Sequence, residues 1–111
     1  MTPKQLRKHL FPPEVEATLP ALYSQEKVED PIVKVKFFVP WNNWTWYATE
    51  CSKTEEDETD GEDYRFFGLV DGHEKELGYW LLSDLMSVRG PGGLTIERDI
   101  HFHEQPLSTF Q

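Results

Sequence analysis

The sequence predicts an α+β fold, an antiparallel meander sheet of four to five strands with an N-terminal helix and a short helix after the fourth strand. Apolar residues recur at helical spacing in the first ten residues, and from residue 32 they alternate with a period of two. Short turns separate the alternating segments, as in antiparallel hairpins. With 111 residues, the chain is expected to form a single domain, with a helical arm over 1–30, the sheet over 31–103 and a loosely attached tail over 104–111.

The N-terminal helix is indicated by its start and by its apolar face. Thr2 is a favourable cap, and Pro3 suits the first helical position. Leu6 and Leu10 lie four residues apart on one face, and the prolines that follow end the helix. A second, shorter helical stretch is expected over residues 14–19.

The strands are predicted from alternation and from turn residues. In the first of them Val33 and Phe37 alternate with lysines, so that one face is buried and the other is in contact with water. Ser83 is expected to cap a short helix over 84–88, with Asp84 near the positive end of its dipole. The expected strands cover residues 32–39, 44–50, 64–70, 76–82 and 94–102.

Negative charge is concentrated in one segment, the acidic loop of residues 52–63. The chain has 20 acidic and 11 basic residues, a formal net charge of -9. Without the seven acids of this loop, 13 acids nearly balance the 11 bases, and the basic cluster Lys4, Arg7 and Lys8 is small. Direct binding to nucleic acid depends on Lys and Arg neutralising phosphates and is therefore not expected. The seven acids are Glu55, Glu56, Asp57, Glu58, Asp60, Glu62 and Asp63.

Cysteine count and apolar runs bear on the location of the protein. Cys51 is the single cysteine, so an intramolecular disulfide is impossible and a reducing compartment is favoured. The first ten residues lack the apolar stretch of a signal peptide, and no run approaches the ~20 apolar residues of a membrane span. We therefore expect a cytoplasmic protein without membrane contact.

Six blocks of sequence carry a resemblance to a known family. In order they read LYSQE, VKFF with NWTWYATE, FFGLV, GHEKELGY, SVRGP and IERD. Across these blocks, which cover most of residues 19–102, the chain resembles an uncharacterised family of small proteins carried on plasmids, integrative elements and phage-like islands of bacteria. The resemblance implies a setting among accessory and anti-restriction functions, but it assigns no activity to individual residues. The N-terminal helix and the long acidic loop depart from the family pattern.

The strongest candidates for chemistry lie at one hairpin turn. His73, Glu74 and Glu76 could act there as acid/base groups or as metal ligands. No recognisable motif places a nucleophile beside them. A polar turn with a solvated tip is therefore the favoured interpretation.

His101 and His103 are weak candidates for a metal site. Two imidazoles at i and i+2 of a strand point to the same face and can chelate a divalent metal. A site would need further ligands, and Cys51, Glu97, Asp99 or His73 could be recruited only by the fold. We expect no catalytic residue, no bound metal and no cofactor.

The acidic loop has several interpretations. Residues 57–63 lack the full ligand spacing of an EF-hand, so calcium binding is not indicated. The loop could mimic phosphate charge and bind the basic face of a nucleic-acid-handling protein. A solvated loop that keeps the protein soluble is favoured, because mimicry usually needs acids arrayed over a folded surface.

Trp41 and Arg89 complete the candidate binding residues. Trp41 lies in the turn before the second strand and is the aromatic side chain that we most expect to be exposed, where it could contact a partner. Arg89 is expected to form a buried polar network with Arg98 and Glu97 around the glycine-rich loop, or else a small anion site.

Three classes of function follow. The favoured one is a non-enzymatic protein-binding or inhibitory accessory protein of a mobile genetic element, whose partner is a host protein with a basic surface that handles nucleic acid or acts in defence. One alternative is a small enzyme or metal-dependent protein centred on His73, Glu74 and Glu76. The other is a nucleic-acid-binding regulator that uses the basic N-terminal helix.

Overall fold

The structure, a computed structural model, describes residues 1–54 and 63–111 and is built on a five-stranded antiparallel sheet. The sheet has the order β5-β4-β3-β2-β6, and β1 and β7 form a separate two-stranded ribbon. The predicted α+β fold, with an N-terminal helix and a helix after the meander, is confirmed. The elements are α1 (Pro3–Leu10), α2 (Pro13–Glu16), β1 (Ile32–Val33), β2 (Val35–Phe38), β3 (Thr45–Lys53), β4 (Tyr64–Asp71), β5 (Lys75–Leu81), α3 (Leu82–Ser87), β6 (Glu97–Arg98) and β7 (Gln105–Pro106).

The main core lies between one face of the sheet and the helices α1 and α3. Phe66 is fully buried and meets Phe37 edge-on, with ring centroids 5.4 Å apart, while Trp80 stacks on Phe66 at 5.5 Å. Leu6 and Leu10 of α1 pack into the same cluster, as their spacing predicts. None of the helices formed by the described residues is long and apolar enough to cross a membrane.

The opposite face of the sheet is partly covered by the C-terminal segment. Leu107 is buried with Val33 and Leu69, and the ring of Phe110 stacks on Tyr47 at 4.3 Å. Strand β7 also pairs with β1. The expectation of a loosely attached tail over 104–111 is therefore wrong, because this tail covers apolar side chains that the helices leave open.

A bulge in β3 decides which side chains reach this second face. Ala48 lies opposite Gly68, but Glu50 lies opposite Phe67, so Thr49 is an extra residue on β3. The Thr49 hydroxyl donates to the Phe67 carbonyl at 3.2 Å. Because side chains alternate along a strand, the bulge turns Glu50 to the same face as Phe67.

Local predictions differ from the structure at the last strand and at helix α3. The expected strand 94–102 is reduced to β6, since only two of its residues pair with β2. Helix α3 begins at Leu82, earlier than expected, and Ser83 is not its cap; the Ser83 hydroxyl donates to Asp63 instead, at 2.6 Å. Asp84 does lie in the first turn, where its carboxylate accepts the Leu81 N–H at 3.0 Å.

Candidate functional site

An opening on the second face of the sheet, here called the groove, has a volume of about 470 Å³. One wall is formed by residues 23–31, which belong to the segment 20–31, here called the arm, and the other wall by Leu107 and Gln111 of the C-terminal segment. Its floor combines three strands, with side chains from β3, β4 and β5. The floor residues are Thr49, Glu50, Phe67, Leu77 and Tyr79.

The arm is held against β3 by hydrogen bonds to the part of that strand that β2 does not cover. The Cys51 N–H donates to the Pro20 carbonyl at 2.9 Å, and the Leu22 N–H donates to the Ser52 hydroxyl at 3.0 Å. The arm therefore follows the free edge of β3.

Glu50 fastens the next turn of the arm. One carboxylate oxygen accepts the N–H of Tyr23 at 3.0 Å, and the other accepts the N–H of Gln25 at 2.7 Å. Glu50 is only 3% exposed. A buried carboxylate is costly unless such hydrogen bonds satisfy it, so the arm and Glu50 stabilise each other.

Tyr23 adopts an unusual backbone conformation at this point. Its φ is 70°, and no other non-glycine residue within residues 1–54 and 63–111 has a positive φ. A bulky residue in this region is strained, and such strain persists only when surrounding contacts hold it. The bond to Glu50 is one of those contacts, and the Tyr23 side chain remains 58% exposed beside the groove.

Aromatic rings form a row along the groove. The Tyr23 and Tyr79 centroids are 6.2 Å apart, and Phe67 lies 4.8 Å from Tyr79. Tyr79 and Leu77 are about half exposed. Partial burial raises the pKa of Tyr79, and Tyr23 and the carboxylates of Glu50 and Glu26 raise it further.

The charge of the groove has one sign. Among the described residues that line the groove, four are acidic and none is Lys, Arg or His. Asp30 accepts two hydrogen bonds from Ser108, from the N–H at 2.9 Å and from the hydroxyl at 2.6 Å, which lowers the pKa of Asp30 and keeps it ionised. The groove therefore suits a ligand that is both apolar and positively charged. The acidic residues are Glu26, Glu29, Asp30 and Glu50.

Of the seven acids in the acidic loop that the sequence singled out, one lies within the described residues. Asp63 is described, and its carboxylate accepts the N–H of Tyr64 at 2.9 Å and that of Ser83 at 3.0 Å. Asp63 thus ties the end of the loop to α3 rather than facing solvent freely. The other six acids, Glu55, Glu56, Asp57, Glu58, Asp60 and Glu62, lie outside the described residues.

The hairpin-turn candidates do lie together. His73, Glu74 and Glu76 are exposed and border a depression of about 320 Å³ with Trp44 and Val70. The His73 ring meets Trp44 edge-on at 5.5 Å. This depression is separate from the groove.

Trp41 is less exposed than the sequence suggested. It is half-buried and packs against the main core, and a Cβ on Gly90 would lie 2.5 Å from its indole ring. The prediction that Trp41 is exposed is therefore wrong, and the exposed aromatic residues are Tyr23 and Tyr79 instead. Its contact with a partner stays a prediction.

Arg89 is engaged with its own helix. Its guanidinium donates to the carbonyls of Met86 and Val88 at 2.5 and 3.0 Å, at the C-terminal end of α3. Arg98 lies on β6 opposite Phe37, and its buried Nε has no hydrogen-bond partner in the described part of the chain. These bonds of Arg89 serve the end of the helix rather than the network expected with Glu97 and Arg98.

The histidines near the C-terminus lie outside strands. His101 is in a turn and His103 in an irregular segment, and both are exposed, so the strand geometry expected for them is wrong. Within the described ranges, no group of three or more His, Cys, Asp or Glu residues is arranged to hold a metal ion. Cys51 is buried, which raises the pKa of its thiol to about 12, with additional effects of Glu16 and Asp63.

Reasoning from the sequence missed the groove. Its residues come from segments far apart in the chain, and none forms a recognisable motif. One signal was present, because the blocks that carry the family resemblance contain Tyr23, Gln25, Glu50, Phe67 and Tyr79.

Comparisons with known proteins give a family without an activity. A family model described as a protein of unknown function, DUF2958, matches residues 10–111. The matched range includes the whole groove and leaves out most of α1. No curated protein and no solved structure matches the chain significantly.

Proposed function

Since the chain belongs to the DUF2958 family, whose function is unknown, we propose from the groove that it is a non-enzymatic binding protein for a positively charged segment of another protein. The observation that carries this proposal is the exposed pair Tyr23 and Tyr79 in a groove lined by four acids and, among the described residues, by no base. The partner is a protein with a basic surface, and neither nucleic acid nor membrane is the direct ligand.

The apolar part of the groove has the character of a contact surface. Leu77, Tyr79 and Tyr23 are about half exposed although each is large and apolar in body. Contiguous exposed apolar side chains typically mark an interaction site, and tyrosines are common anchors at such sites. The partner is therefore expected to bury an apolar portion against Leu77 and Tyr79.

The acidic part of the groove selects the charge of the partner. Glu26 and Glu29 are exposed beside the rings and can meet a Lys or Arg head group. The stem of such a side chain can lie along Tyr79, and its cation can contact the ring face. Complementary charge raises the rate of encounter and excludes acidic competitors.

The family resemblance supports a setting for this binding. We place the protein in the cytoplasm as an accessory or inhibitory protein of a mobile genetic element. Its partner would be a host protein of nucleic-acid handling or defence, since such proteins often expose Lys and Arg for phosphate contacts. The acidic loop would add charge of the same sign as the groove.

A peptide library tests the binding function directly. Random peptides displayed on phage are selected on the immobilised protein, and we expect enrichment of sequences that combine Lys or Arg with apolar residues. The selected peptides should bind Tyr79→Ala and Glu26→Lys proteins more than about tenfold more weakly, because each variant removes a contact of the groove.

Matched controls lie away from the groove. Ile100→Ala removes an exposed apolar side chain, and Glu97→Lys reverses an exposed charge on β6. Both should leave the affinity for the selected peptides unchanged within about twofold. Failure to enrich any peptide, or equal losses in the groove and control variants, would refute the proposed function.

A further inference from the structure

The outer strand of the sheet borders the groove, and it suggests how the partner is held. We propose that the partner segment binds in an extended conformation as an added strand along β5, with every second side chain directed to the groove. This inference rests on the proposed function, because it specifies the binding mode of the same occupant.

Strand β5 has one free edge. It lies at the end of the strand order and pairs with β4 alone among the described strands. The pairing runs without a register shift from Arg65 opposite Leu81 to Asp71 opposite Lys75. In an antiparallel sheet, every second residue of such a strand directs its N–H and C=O away from the neighbour, where they can pair with a further strand.

Within residues 1–54 and 63–111, this edge lacks most of the features that protect natural edges. Proline, a bulge and a covering segment usually block unwanted pairing. Strand β5 contains no proline, and its charged residues Lys75 and Glu76 lie only at the end next to the turn. The part nearer α3 presents the exposed Leu77 and Tyr79 instead.

The two faces of β5 would meet different side chains of an added strand. Leu77 and Tyr79 lie on the groove side, where Glu26 adds negative charge near Tyr79. Gly78 points to the other side, and a Cβ built there has no atom within 4 Å. An added strand therefore has basic side chains at alternate positions over the groove, with room for an apolar side chain beside Gly78.

Charge complementarity favours a basic segment over a second copy of this chain. Pairing β5 with β5 of another copy would bring two acidic grooves to neighbouring positions, each with Glu26 and Glu29. Like charges brought together at an interface oppose binding. A segment rich in Lys or Arg instead gains from the same arrangement, and its backbone pairs with β5.

Backbone methylation distinguishes strand addition from docking of side chains alone. The tightest peptide from the phage selection is synthesised with a single N-methyl group at successive positions, since each methyl removes one N–H and blocks close approach. We expect affinity losses of about tenfold or more at alternate positions of the peptide and small effects between them.

Hydrogen exchange of the full-length protein supplies an independent readout. The peptide should slow exchange at every second amide of residues 75–81, while the amides of α1 serve as the internal control. If the affinity losses of the N-methylated peptides showed no period of two and exchange in β5 stayed unchanged, strand addition would be overturned. If the selected peptides nevertheless bound Tyr79→Ala more weakly, the proposed function of the groove would stand without strand addition.

Self-association is the remaining outcome of the test. We expect sedimentation of the protein alone to show no dimer formed through β5, because the two acidic grooves would repel each other. A dimer formed through β5 would be recognised by its loss in Leu77→Lys. A dimer that this variant abolishes would assign the β5 edge to a second copy and overturn the inference. A complete failure of the phage selection would instead refute the proposed function.

Discussion

Glu50 is the residue on which the shape of the groove depends. Its carboxylate has both oxygens occupied by N–H groups of the arm, at Tyr23 and Gln25, and it is almost fully buried. The same bonds hold Tyr23 at a positive φ. A single acidic side chain therefore joins the strand floor of the groove to its wall.

Replacing Glu50 by Gln tests this role. Glutamine has the same shape but one acceptor oxygen, so one N–H of the arm loses its partner. We expect Glu50→Gln to lower the free energy of unfolding by about 1–3 kcal/mol and to speed hydrogen exchange over residues 21–25. Urea unfolding and exchange rates measure the two effects.

The control for this change is an exposed acid of the same groove. Glu26→Gln removes one charge without a buried hydrogen bond, so stability should change by no more than about 0.5 kcal/mol. Equal effects of Glu26→Gln and Glu50→Gln on stability and exchange would show that Glu50 does not hold the arm.

Cys51 links pH to stability. Burial raises the pKa of its thiol from 9.0 to about 12. Above pH 9 the unfolded chain loses this proton while the folded protein keeps it, so the unfolded state gains stability as pH rises toward 12. We expect the urea midpoint to fall across this range, and less steeply in Cys51→Ala.

Two tyrosines are expected to account for the loss of stability at alkaline pH that remains in Cys51→Ala. The pKa of Tyr47 and that of Tyr79 are raised as well, mainly through burial, so part of the alkaline decline persists without Cys51. Reaction of Cys51 with a thiol reagent near neutral pH should be slow in the folded protein and fast in urea. Fast labelling of the folded protein would contradict a buried, protonated thiol.

At the scale of elements, close strand approach depends on one glycine. A Cβ on Gly68 of β4 would lie 1.9 Å from the Tyr47 carbonyl oxygen, which belongs to the backbone and cannot move aside cheaply. Gly78, its register partner on β5, faces open space. The central pair of strands is thus far less tolerant than the outer pair.

The two glycines form a matched pair of substitutions. Gly68→Ala should lower the free energy of unfolding by about 3 kcal/mol, since the backbone of β3 must shift. Gly78→Ala should be neutral or stabilising by up to about 1 kcal/mol, because alanine restricts the unfolded chain. Thermal and urea unfolding of both proteins measure the difference, and similar losses at the two positions would contradict the described packing.

At the scale of the whole molecule, residues 55–62 of the acidic loop can be removed without changing the residues at its base. The Thr54 N–H donates to the Asp63 carbonyl at 2.9 Å, so a two-residue Asn-Gly turn can replace residues 55–62 and close the hairpin there. This change deletes six acids and keeps the bonds from Asp63 to α3.

We expect this replacement to leave the thermal midpoint nearly unchanged and to slow the association of basic peptides several-fold at low salt. Negative charge near a binding site attracts a basic ligand over a distance of about one Debye length, ~10 Å at 0.1 M salt. Stopped-flow rates at several salt concentrations measure the effect. An unchanged association rate would assign the loop a solubilising role only.

Local patterns account for the parts of the fold that were predictable. The cap at Thr2, the spacing of Leu6 and Leu10 and the alternation around Phe37 depend on neighbours in the sequence, so α1 and the meander could be expected. The prediction of a strand over residues 94–102 was largely wrong, because only Glu97 and Arg98 pair with β2. Whether a segment is paired depends on the rest of the sheet and not on the segment's own sequence.

By itself the sequence determined the fold class, the helical and strand periods and the concentration of charge in one loop, because each of these depends on residues close together in the chain. The tertiary structure decided the groove. Its walls and floor come from the arm, three strands and the C-terminal segment, and the bulge at Thr49 reverses the direction that simple alternation assigns to Glu50. Both depend on contacts between distant segments, and local sequence patterns do not encode such contacts.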